Sequence, residues 1–340
     1  MLSVVRAIAR AALRAPLPLG APPRNDRGVP LDPEVHRMLT ILALARRPAW
    51  DELGPVRARR ELVAQSRLAA VEAVPVHRVE DRRIDADHDE LRVRIYVPHG
   101  GPGRRPATVY FHGGGFVLGD LESHDALCRH LAVRSGSTVI AVDYRLAPEH
   151  PFPAAVEDAC AAYAWALESA GALGIDPERI AVAGDSAGGN LAAVVAQDAR
   201  DRGLRPPAFQ LLIYPATDMS RSAASHRTFA EGFLLTEAVI DWFFANYLTD
   251  PAQHRDPRCS PLLARDLSGL PPAHVVTAGF DPLRDEGEQY AEALRAAGVE
   301  ATSRCYDTLI HGFVSMSGLI EAAARAVDDL GDVLRARLWP

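Results

Sequence analysis

The feature that most constrains the fold is an alternation of short apolar runs with helical segments, which begins at Ala107 and continues toward the C-terminus. The runs are nearly continuous in Val, Ile, Leu, Ala and aromatic residues and cover residues 107–111, 138–143, 179–184, 209–214, 273–279 and 302–306. Strands that are apolar on both faces are typical of a parallel sheet covered by helices on both sides. The sequence therefore predicts an α/β protein with a mostly parallel central sheet.

Two further strands are predicted before this alternation begins. Residues 73–79 and 91–97 are rich in Val and Ile and alternate apolar with polar side chains, with an acidic turn between them. Alternation of this kind indicates half-buried strands, and their proximity in the chain favours an antiparallel hairpin. We therefore expect a hairpin to lead into the parallel sheet.

Helical patterns lie outside this sheet in two places. The first is residues 1–70, in which Asp32 is a candidate N-cap with Pro33 at the first helical position. The second is a stretch of nearly sixty residues between the fourth and fifth apolar runs, far more than a single crossover requires. We predict a cap formed by residues 1–70 and a helical insertion at residues 217–258, placed over an α/β domain that spans residues 71–340.

The N-terminal segment has an arginine pattern of its own. Arg6, Arg10 and Arg14 recur every four residues, roughly opposite Val5 and Ile8 on a helix. The arginines interrupt the uncharged apolar stretch that a secretory signal needs. Such a helix can pack on its own domain, lie on a membrane surface or act as a transit peptide. Packing on the domain is the default interpretation, and the other two stay open.

The strongest local motif is Gly-Asp-Ser-Ala-Gly at residues 184–188, which follows an apolar run and opens a helical one. A sharp turn from strand to helix strains its central residue, and Gly184 and Gly188 remove side chains that would collide there. The turn lifts the Ser186 hydroxyl to a helix N-terminus, where the helix dipole favours developing negative charge. Ser186 is therefore the candidate nucleophile, with Asp185 supporting the turn, and a capping serine is the alternative.

A second motif, His112 followed by Gly113, Gly114 and Gly115, stands directly after the first apolar run. Consecutive glycines let the backbone approach a ligand closely and turn N–H groups toward it. Amides aimed in this way stabilise an oxyanion, and the helix-starting amide of Ala187 would add a further donor. A flexible loop and a phosphate cradle are the alternatives, although the lysine of a phosphate-binding loop is lacking. His112 is expected to hold the loop by hydrogen bonds.

A serine nucleophile on such a turn needs a base, which follows it in the chain after an acidic residue. The histidines beyond the nucleophile are His226, His254, His274 and His311. The first two fall in the predicted insertion and the third begins a strand, so each is most simply a surface or packing residue. His311 follows the last apolar run, where Gly312 permits an exposed loop, and is the candidate base.

Two carboxylates compete to orient this base. Asp281 comes directly after the run at 273–279, at the carboxyl end of a parallel strand, where functional groups of such sheets gather. Asp285 lies a turn into the following helix and should point away from the site. A favourable interaction with the dipole at the helix N-terminus is enough to explain an acidic residue at this position. Asp281 is preferred, and Asp285 is the alternative.

Composition excludes several other classes of protein. A net charge of −7 argues against a nucleic-acid partner. No stretch approaches the ~20 apolar residues of a membrane-spanning helix, so stable membrane insertion is not expected. The cysteines lie far apart, without the spacing of a zinc site, at positions Cys128, Cys160, Cys259 and Cys305. They indicate free thiols in a reducing cytoplasm, and neither a metal nor a disulfide framework is expected.

Five stretches of the sequence together carry a specific resemblance. They are HGGGF at 112–116, DYRLAPEHPFPAA at 143–155, GDSAGGN at 184–190, DPLRDEG at 281–287 and HGF at 311–313. In this order they resemble the bacterial hormone-sensitive lipase family of α/β-hydrolase carboxylesterases. The resemblance implies an α/β-hydrolase fold with a discontinuous helical cap and no metal or organic cofactor. It implies hydrolysis of short- to medium-chain esters through an acyl-enzyme. The residues that the resemblance assigns are the triad Ser186, Asp281 and His311, and the oxyanion donors Gly114, Gly115 and Ala187.

Other functions stay open at this point. A small-molecule receptor of the same fold is one, although receptors that resemble this family usually lack the histidine found here at position 311. Acyl transfer or amide hydrolysis on the same triad is another. Aromatic residues of the loop and the insertion are candidate pocket walls, with the core of the cap as their alternative role: Phe116, Trp242, Phe243 and Tyr247. A small ester is the expected partner, and a homodimer is kept as a further expectation.

Overall fold

The computed structural model describes residues 2–15, 20–86, 89–100 and 103–339. Within these residues eight strands form one sheet in the order β1-β2-β4-β3-β5-β6-β7-β8. The strands are β1 Arg78–Ala86, β2 Asp89–Val97, β3 Arg105–Phe111, β4 Thr138–Asp143, β5 Ile175–Asp185, β6 Phe209–Ile213, β7 Ala273–Phe280 and β8 Ala301–Ile310. β2 pairs antiparallel with β1 and with β4, and all other neighbours are parallel. The predicted α/β class and mostly parallel sheet are confirmed.

The first strand is where the prediction was wrong. A strand was expected at 73–79, whereas β1 begins at Arg78 and pairs with β2 as far as Ala86 opposite Asp89. Residues assigned to the acidic turn therefore extend the two strands. Most β1 side chains are at least partly exposed, and Ile84 is the buried one. Backbone pairing with β2 sets the extent of this edge strand, so apolar alternation is a poor guide to it. Residues 87 and 88, in the expected turn, lie outside the described residues.

Helices cover both faces of the sheet. They are α1 Leu2–Arg14, α2 Pro33–Leu44, α3 Trp50–Leu53, α4 Pro55–Ala69, α5 Asp125–Ser135, α6 Ala154–Glu168, α7 Ala170–Leu173, α8 Ala187–Asp201, α9 Ser225–Thr228, α10 Glu237–Tyr247, α11 Arg284–Ala296 and α12 Glu321–Leu338. Short 3-10 helices lie at Pro251–Arg255, Pro261–Leu263 and Phe313–Met316. Val109 and Phe111 of β3 join the core under α6 and α8, whereas Tyr110 between them joins the core under α5 and α12. Successive strand residues thus face opposite helical layers.

The N-terminal helices and the insertion meet on one side of the molecule. The Asp32 side chain accepts hydrogen bonds from the first-turn amides of α2, which confirms the predicted cap residue. Trp50 of α3 packs against a small apolar cluster that contains Val239 and Ile240 of α10. These contacts support the predicted cap of residues 1–70 and 217–258, whose division from residues 71–340 stays a prediction. None of the helices in the described residues combines the length and apolar character that a membrane crossing requires.

Candidate active site

The turn between β5 and α8 places Ser186 above the carboxyl end of the sheet. Ser186 has φ 57° and ψ −118°, a conformation that a residue with a side chain rarely adopts and that is held here by its surroundings. Its amide donates to the carbonyl of Ile213 at the end of β6, at 2.8 Å. A β-carbon on Gly188 would lie 1.9 Å from the carbonyl oxygen of Phe111. A side chain there is excluded by the close approach of α8 to the end of β3.

The side chains of Asp281, His311 and Ser186 form a continuous chain of hydrogen bonds. His311 Nε2 lies 2.9 Å from Ser186 Oγ, and His311 Nδ1 lies 2.8 Å from Asp281 Oδ2. Asp281 follows the last residue of β7, is fully buried, and its Oδ1 accepts the amide of Leu283 at 2.8 Å. The ring of Tyr214, a contact that the sequence did not indicate, packs 4.7 Å from the imidazole of His311. The arrangement suits proton transfer from a serine to an oriented histidine.

Asp285, the alternative carboxylate, lies elsewhere. It is the second residue of α11, and its Oδ2 accepts the amide of Ser225 at 2.9 Å. Its Oδ1 accepts a hydrogen bond from the Arg284 guanidinium at 2.8 Å. The contact with Ser225 holds the side chain toward the insertion, whereas Asp281 is the carboxylate that contacts His311.

The other histidines beyond Ser186 have partners of their own. His254 contacts a backbone carbonyl and His274 a threonine hydroxyl. His226 is buried against Glu286, with 2.6 Å between His226 Nε2 and Glu286 Oε2. Glu286 also accepts two backbone amides at the start of the insertion, and burial raises the pKa of this carboxyl. Among the described residues, no group of three or more His, Cys, Asp or Glu is placed to hold a metal ion.

Asp185, beside the candidate nucleophile, ties the glycine loop to the serine turn. Its Oδ1 accepts the amide of Gly113 at 2.9 Å and the hydroxyl of Tyr110 at 2.8 Å. His124 Nε2 lies 3.2 Å from the same oxygen. Burial acts to raise the pKa of Asp185, but His124 and the hydrogen bonds outweigh it and hold the pKa below its ordinary value. Asp185 therefore stays ionised and fixes the loop from beneath.

Three backbone amides at this junction have no acceptor within the described residues: those of Gly114, Gly115 and Ala187. Gly114 has φ +124°, and a β-carbon on it would lie 2.3 Å from the carbonyl oxygen of Leu118. The loop is therefore closed by its own backbone, and only glycine fits at this position. Ala187 is buried, and Gly114 and Gly115 are partly exposed. Unpaired amides beside a candidate nucleophile are consistent with a site for an oxygen of a ligand.

Comparison with known proteins places this arrangement in a family. A family model described as the α/β-hydrolase fold matches residues 108–315, which include Ser186, Asp281 and His311. The chain belongs to the α/β-hydrolase family. It is 46% identical over 321 residues to carboxylic ester hydrolase LipN of Mycobacterium tuberculosis, covering 92% of this chain and 84% of that protein. It is 41% identical over 288 residues to an ethyl acetate hydrolase of Pseudomonas putida, covering 83% of this chain and 90% of that protein.

Solved structures agree with this assignment. The hydrolase superimposes on a hyperthermophilic esterase from Pyrobaculum calidifontis with a TM-score of 0.86 at 44% identity, covering 91% of this chain and 99% of that one. The predicted α/β-hydrolase fold is confirmed, and so is the predicted family of bacterial ester hydrolases related to hormone-sensitive lipase.

The aromatic candidates of the hydrolase divide into two groups. The Phe243 ring lies against the backbone of Gly115, since a β-carbon there would come within 2.3 Å of it. Trp242 packs beside Phe243, with 5.2 Å between ring centroids. Phe116 and Tyr247 are instead buried and stacked on each other, 4.0 Å between centroids. The stacked pair fastens α10 to the glycine loop, and Phe243 is the candidate that borders the unpaired amides.

His112 makes the stability of the hydrolase depend on pH. Its ring is buried, stacks on Tyr144 at 4.2 Å, and bonds through Nδ1 to the carbonyl of Gly113. Burial, reinforced by nearby His124, lowers the pKa of His112 to about 4. Because an unfolded histidine takes up a proton near pH 6.5, the unfolded state binds more protons between about pH 6.5 and pH 4. Stability should therefore fall as the pH falls through this window, by up to about 3 kcal/mol from this residue.

The effect of His112 is isolated by comparing the wild type with His112→Asn, which does not titrate here. We expect the difference in unfolding free energy between the two, measured by urea titration, to shrink from pH 7 to pH 4. A difference that is constant over this range would contradict the burial of a neutral imidazole.

Proposed function

We propose that this hydrolase is a serine carboxylesterase that works through an acyl-enzyme at Ser186. The observation that carries the proposal is the hydrogen-bonded chain from Asp281 through His311 to Ser186. His311 takes the Ser186 proton as the hydroxyl attacks the ester carbonyl, and Asp281 stabilises the imidazolium. His311 then gives the proton to the departing alcohol. Water, deprotonated by His311, attacks the acyl-enzyme, and the acid leaves as the serine is restored.

The oxyanion of each tetrahedral intermediate is proposed to bind the amides of Gly114, Gly115 and Ala187. Their support is that no protein acceptor uses them within the described residues. The bond from Gly113 to Asp185 fixes the loop relative to the serine turn before substrate arrives. In known enzymes each such donor contributes about 3–4 kcal/mol to the stability of the transition state.

The substrate is proposed to be a small ester with a short- to medium-length acyl chain. Phe243 covers the backbone of Gly115, so bulk above the oxyanion site is limited by the insertion. Trp242 beside it is a further candidate wall. One relative is named an ethyl acetate hydrolase, which agrees with a small substrate.

A labelling experiment tests the proposal. A fluorescent fluorophosphonate should label the wild-type protein, with the adduct on the peptide that contains Ser186, and should not label Ser186→Ala. Ser123→Ala, which changes a buried serine outside the triad, is the matched control and should be labelled normally. Hydrolysis of nitrophenyl esters should favour butyrate over palmitate.

Each other outcome points to a different function. Absence of labelling on the folded wild type would overturn the proposal of a serine esterase and favour a small-molecule receptor. Labelling without ester hydrolysis would favour acyl transfer or amide hydrolysis on the same triad, which acceptor alcohols and anilides would distinguish.

Two wider features complete the proposal. Cytoplasmic location is supported by Cys128, Cys160, Cys259 and Cys305, none of which forms a disulfide.

A homodimer is supported by β8, which ends the sheet with a backbone edge that no described strand covers. Such an edge can pair with the same strand of a second copy.

A further inference from the structure

The large apolar side chains that this protein leaves exposed are concentrated on the N-terminal helices. Nine large apolar side chains are exposed in the described residues, and five of them lie within 52 consecutive positions: Val5, Ile8, Ile41, Leu44 and Val56. We call these five the cap face. The other four, Val79, Val133, Leu234 and Trp339, are scattered over the rest of the chain. The helices that carry the cap face form one layer, because α1 packs on both α2 and α4.

The first helix leaves two of its apolar side chains exposed, although two of its arginines bond to the protein. Arg6 donates to the carbonyl of Leu68 at the end of α4, and Arg10 donates to the carbonyl of Gly318. On the side that meets the protein Leu13 is buried and Arg6 is half-buried, whereas Arg10 stays exposed. Val5 and Ile8 are 46% and 65% exposed. A helix in water normally buries its apolar side and exposes its charges. This arrangement leaves an apolar surface available for a partner.

Charge identifies the kind of partner. The first 70 residues hold twelve arginines against six carboxylates, although the whole chain has a net charge of −7. Arg46 and Arg47 follow Leu44 on an exposed turn, and Arg57 follows Val56 on the first turn of α4. Within the described residues, no carboxylate forms an ion pair with these three arginines. Exposed apolar side chains among unpaired guanidinium groups match an anionic lipid surface, which offers both acyl chains and phosphates.

We infer that the cap face docks on an anionic lipid surface, without crossing it. The basic N-terminal layer and the acidic remainder give the molecule a charge asymmetry that would orient this layer toward the lipid. The same layer reaches the site, since α3 contacts α10, which carries Phe243 over Gly115. Docking of this kind holds the cap at the boundary where apolar esters accumulate. The inference concerns binding alone, so it stands or falls independently of the esterase activity.

The test is flotation of the full-length protein with vesicles. We expect binding to vesicles of equal phosphatidylglycerol and phosphatidylcholine, and little to pure phosphatidylcholine. Ile8→Ser with Leu44→Ser should weaken binding to the anionic vesicles by at least about tenfold, because both apolar anchors are lost. Arg46→Gln with Arg47→Gln should weaken it by about tenfold or more, since each cation near such a surface contributes several-fold.

Matched controls change the same residue types elsewhere. Val133→Ser removes an exposed apolar side chain of α5, and Arg255→Gln with Arg265→Gln removes two exposed arginines that are not on the N-terminal helices. All variants should keep the thermal midpoint and the hydrolysis of a water-soluble ester, and the controls should bind vesicles like the wild type. Equal binding to both kinds of vesicle, or equal losses in cap and control variants, would overturn the inference. So would a cap variant that changes the sedimenting mass but not vesicle binding, which would assign the cap face to a second copy of the chain.

Discussion

Replacing Asp281 with asparagine should lower kcat/KM for a nitrophenyl ester about 10⁴-fold, while the protein stays folded. The two carboxylate oxygens of Asp281 make different hydrogen bonds. Oδ1 accepts the amide of Leu283, and Oδ2 accepts from His311 Nδ1. Asparagine has a single carbonyl oxygen, and the Leu283 amide can pair only with that oxygen. Its amide nitrogen would then face His311 and favour the tautomer that cannot accept the proton of Ser186. The measurement is steady-state hydrolysis, with circular dichroism to confirm the fold.

Asp285→Asn is the matched variant for this test. Asp285 contacts Ser225 and Arg284 and does not reach the imidazole, so kcat/KM should stay within about threefold. Loss of its charge-assisted contacts should cost about 1–2 kcal/mol in unfolding free energy. If Asp285→Asn lost activity and Asp281→Asn kept it, the orienting role would belong to Asp285.

Much of the fold could be predicted because its central strands, such as β3, β4, β6 and β7, are buried on both faces and therefore appear in the sequence as apolar runs. The boundaries of β3 to β8 were expected to within four residues. β1 was misplaced because its side chains are mostly exposed and its limits depend on pairing with β2. The apolar pattern of a sequence reflects burial, and β1 has only one buried side chain.

The candidate site, like the fold, could be predicted from the sequence only in part. Ser186 and His311 could be proposed from local turns and chain order, which a sequence contains. The roles of Asp185 and Tyr214 depend on which strand ends lie side by side, since β3 is next to β5 and β6 is next to β7. A carboxylate between Gly113 and Tyr110, or a tyrosine ring against His311, is a consequence of sheet order. Asp185 was expected to support the serine turn. The signal that could have indicated its bond to Gly113, and the contact of Tyr214, is their position at the carboxyl ends of neighbouring strands.

Gly188→Ala should be among the most damaging substitutions of a single methyl group in this protein. The new β-carbon would lie 1.9 Å from the carbonyl oxygen of Phe111 and 2.6 Å from that of His112. Both are backbone atoms, and Phe111 is fixed in register between β4 and β5. Rotation of a side chain therefore cannot relieve the clash with the new β-carbon. We expect the unfolding free energy to fall by about 3 kcal/mol or more. Displacing the glycine loop from Ser186 by about 1 Å should also lower kcat/KM about 100-fold.

Gly171→Ala provides the comparison, because it adds the same methyl group where the structure has room. Gly171 lies in α7 with no heavy atom within 4 Å of the new β-carbon, so its stability should stay unchanged or rise by up to about 1 kcal/mol. Urea unfolding of both variants, with kcat/KM measured on the same preparations, separates the two sites. Equal unfolding midpoints for Gly188→Ala and the wild type would mean that α8 does not approach β3 as closely as this.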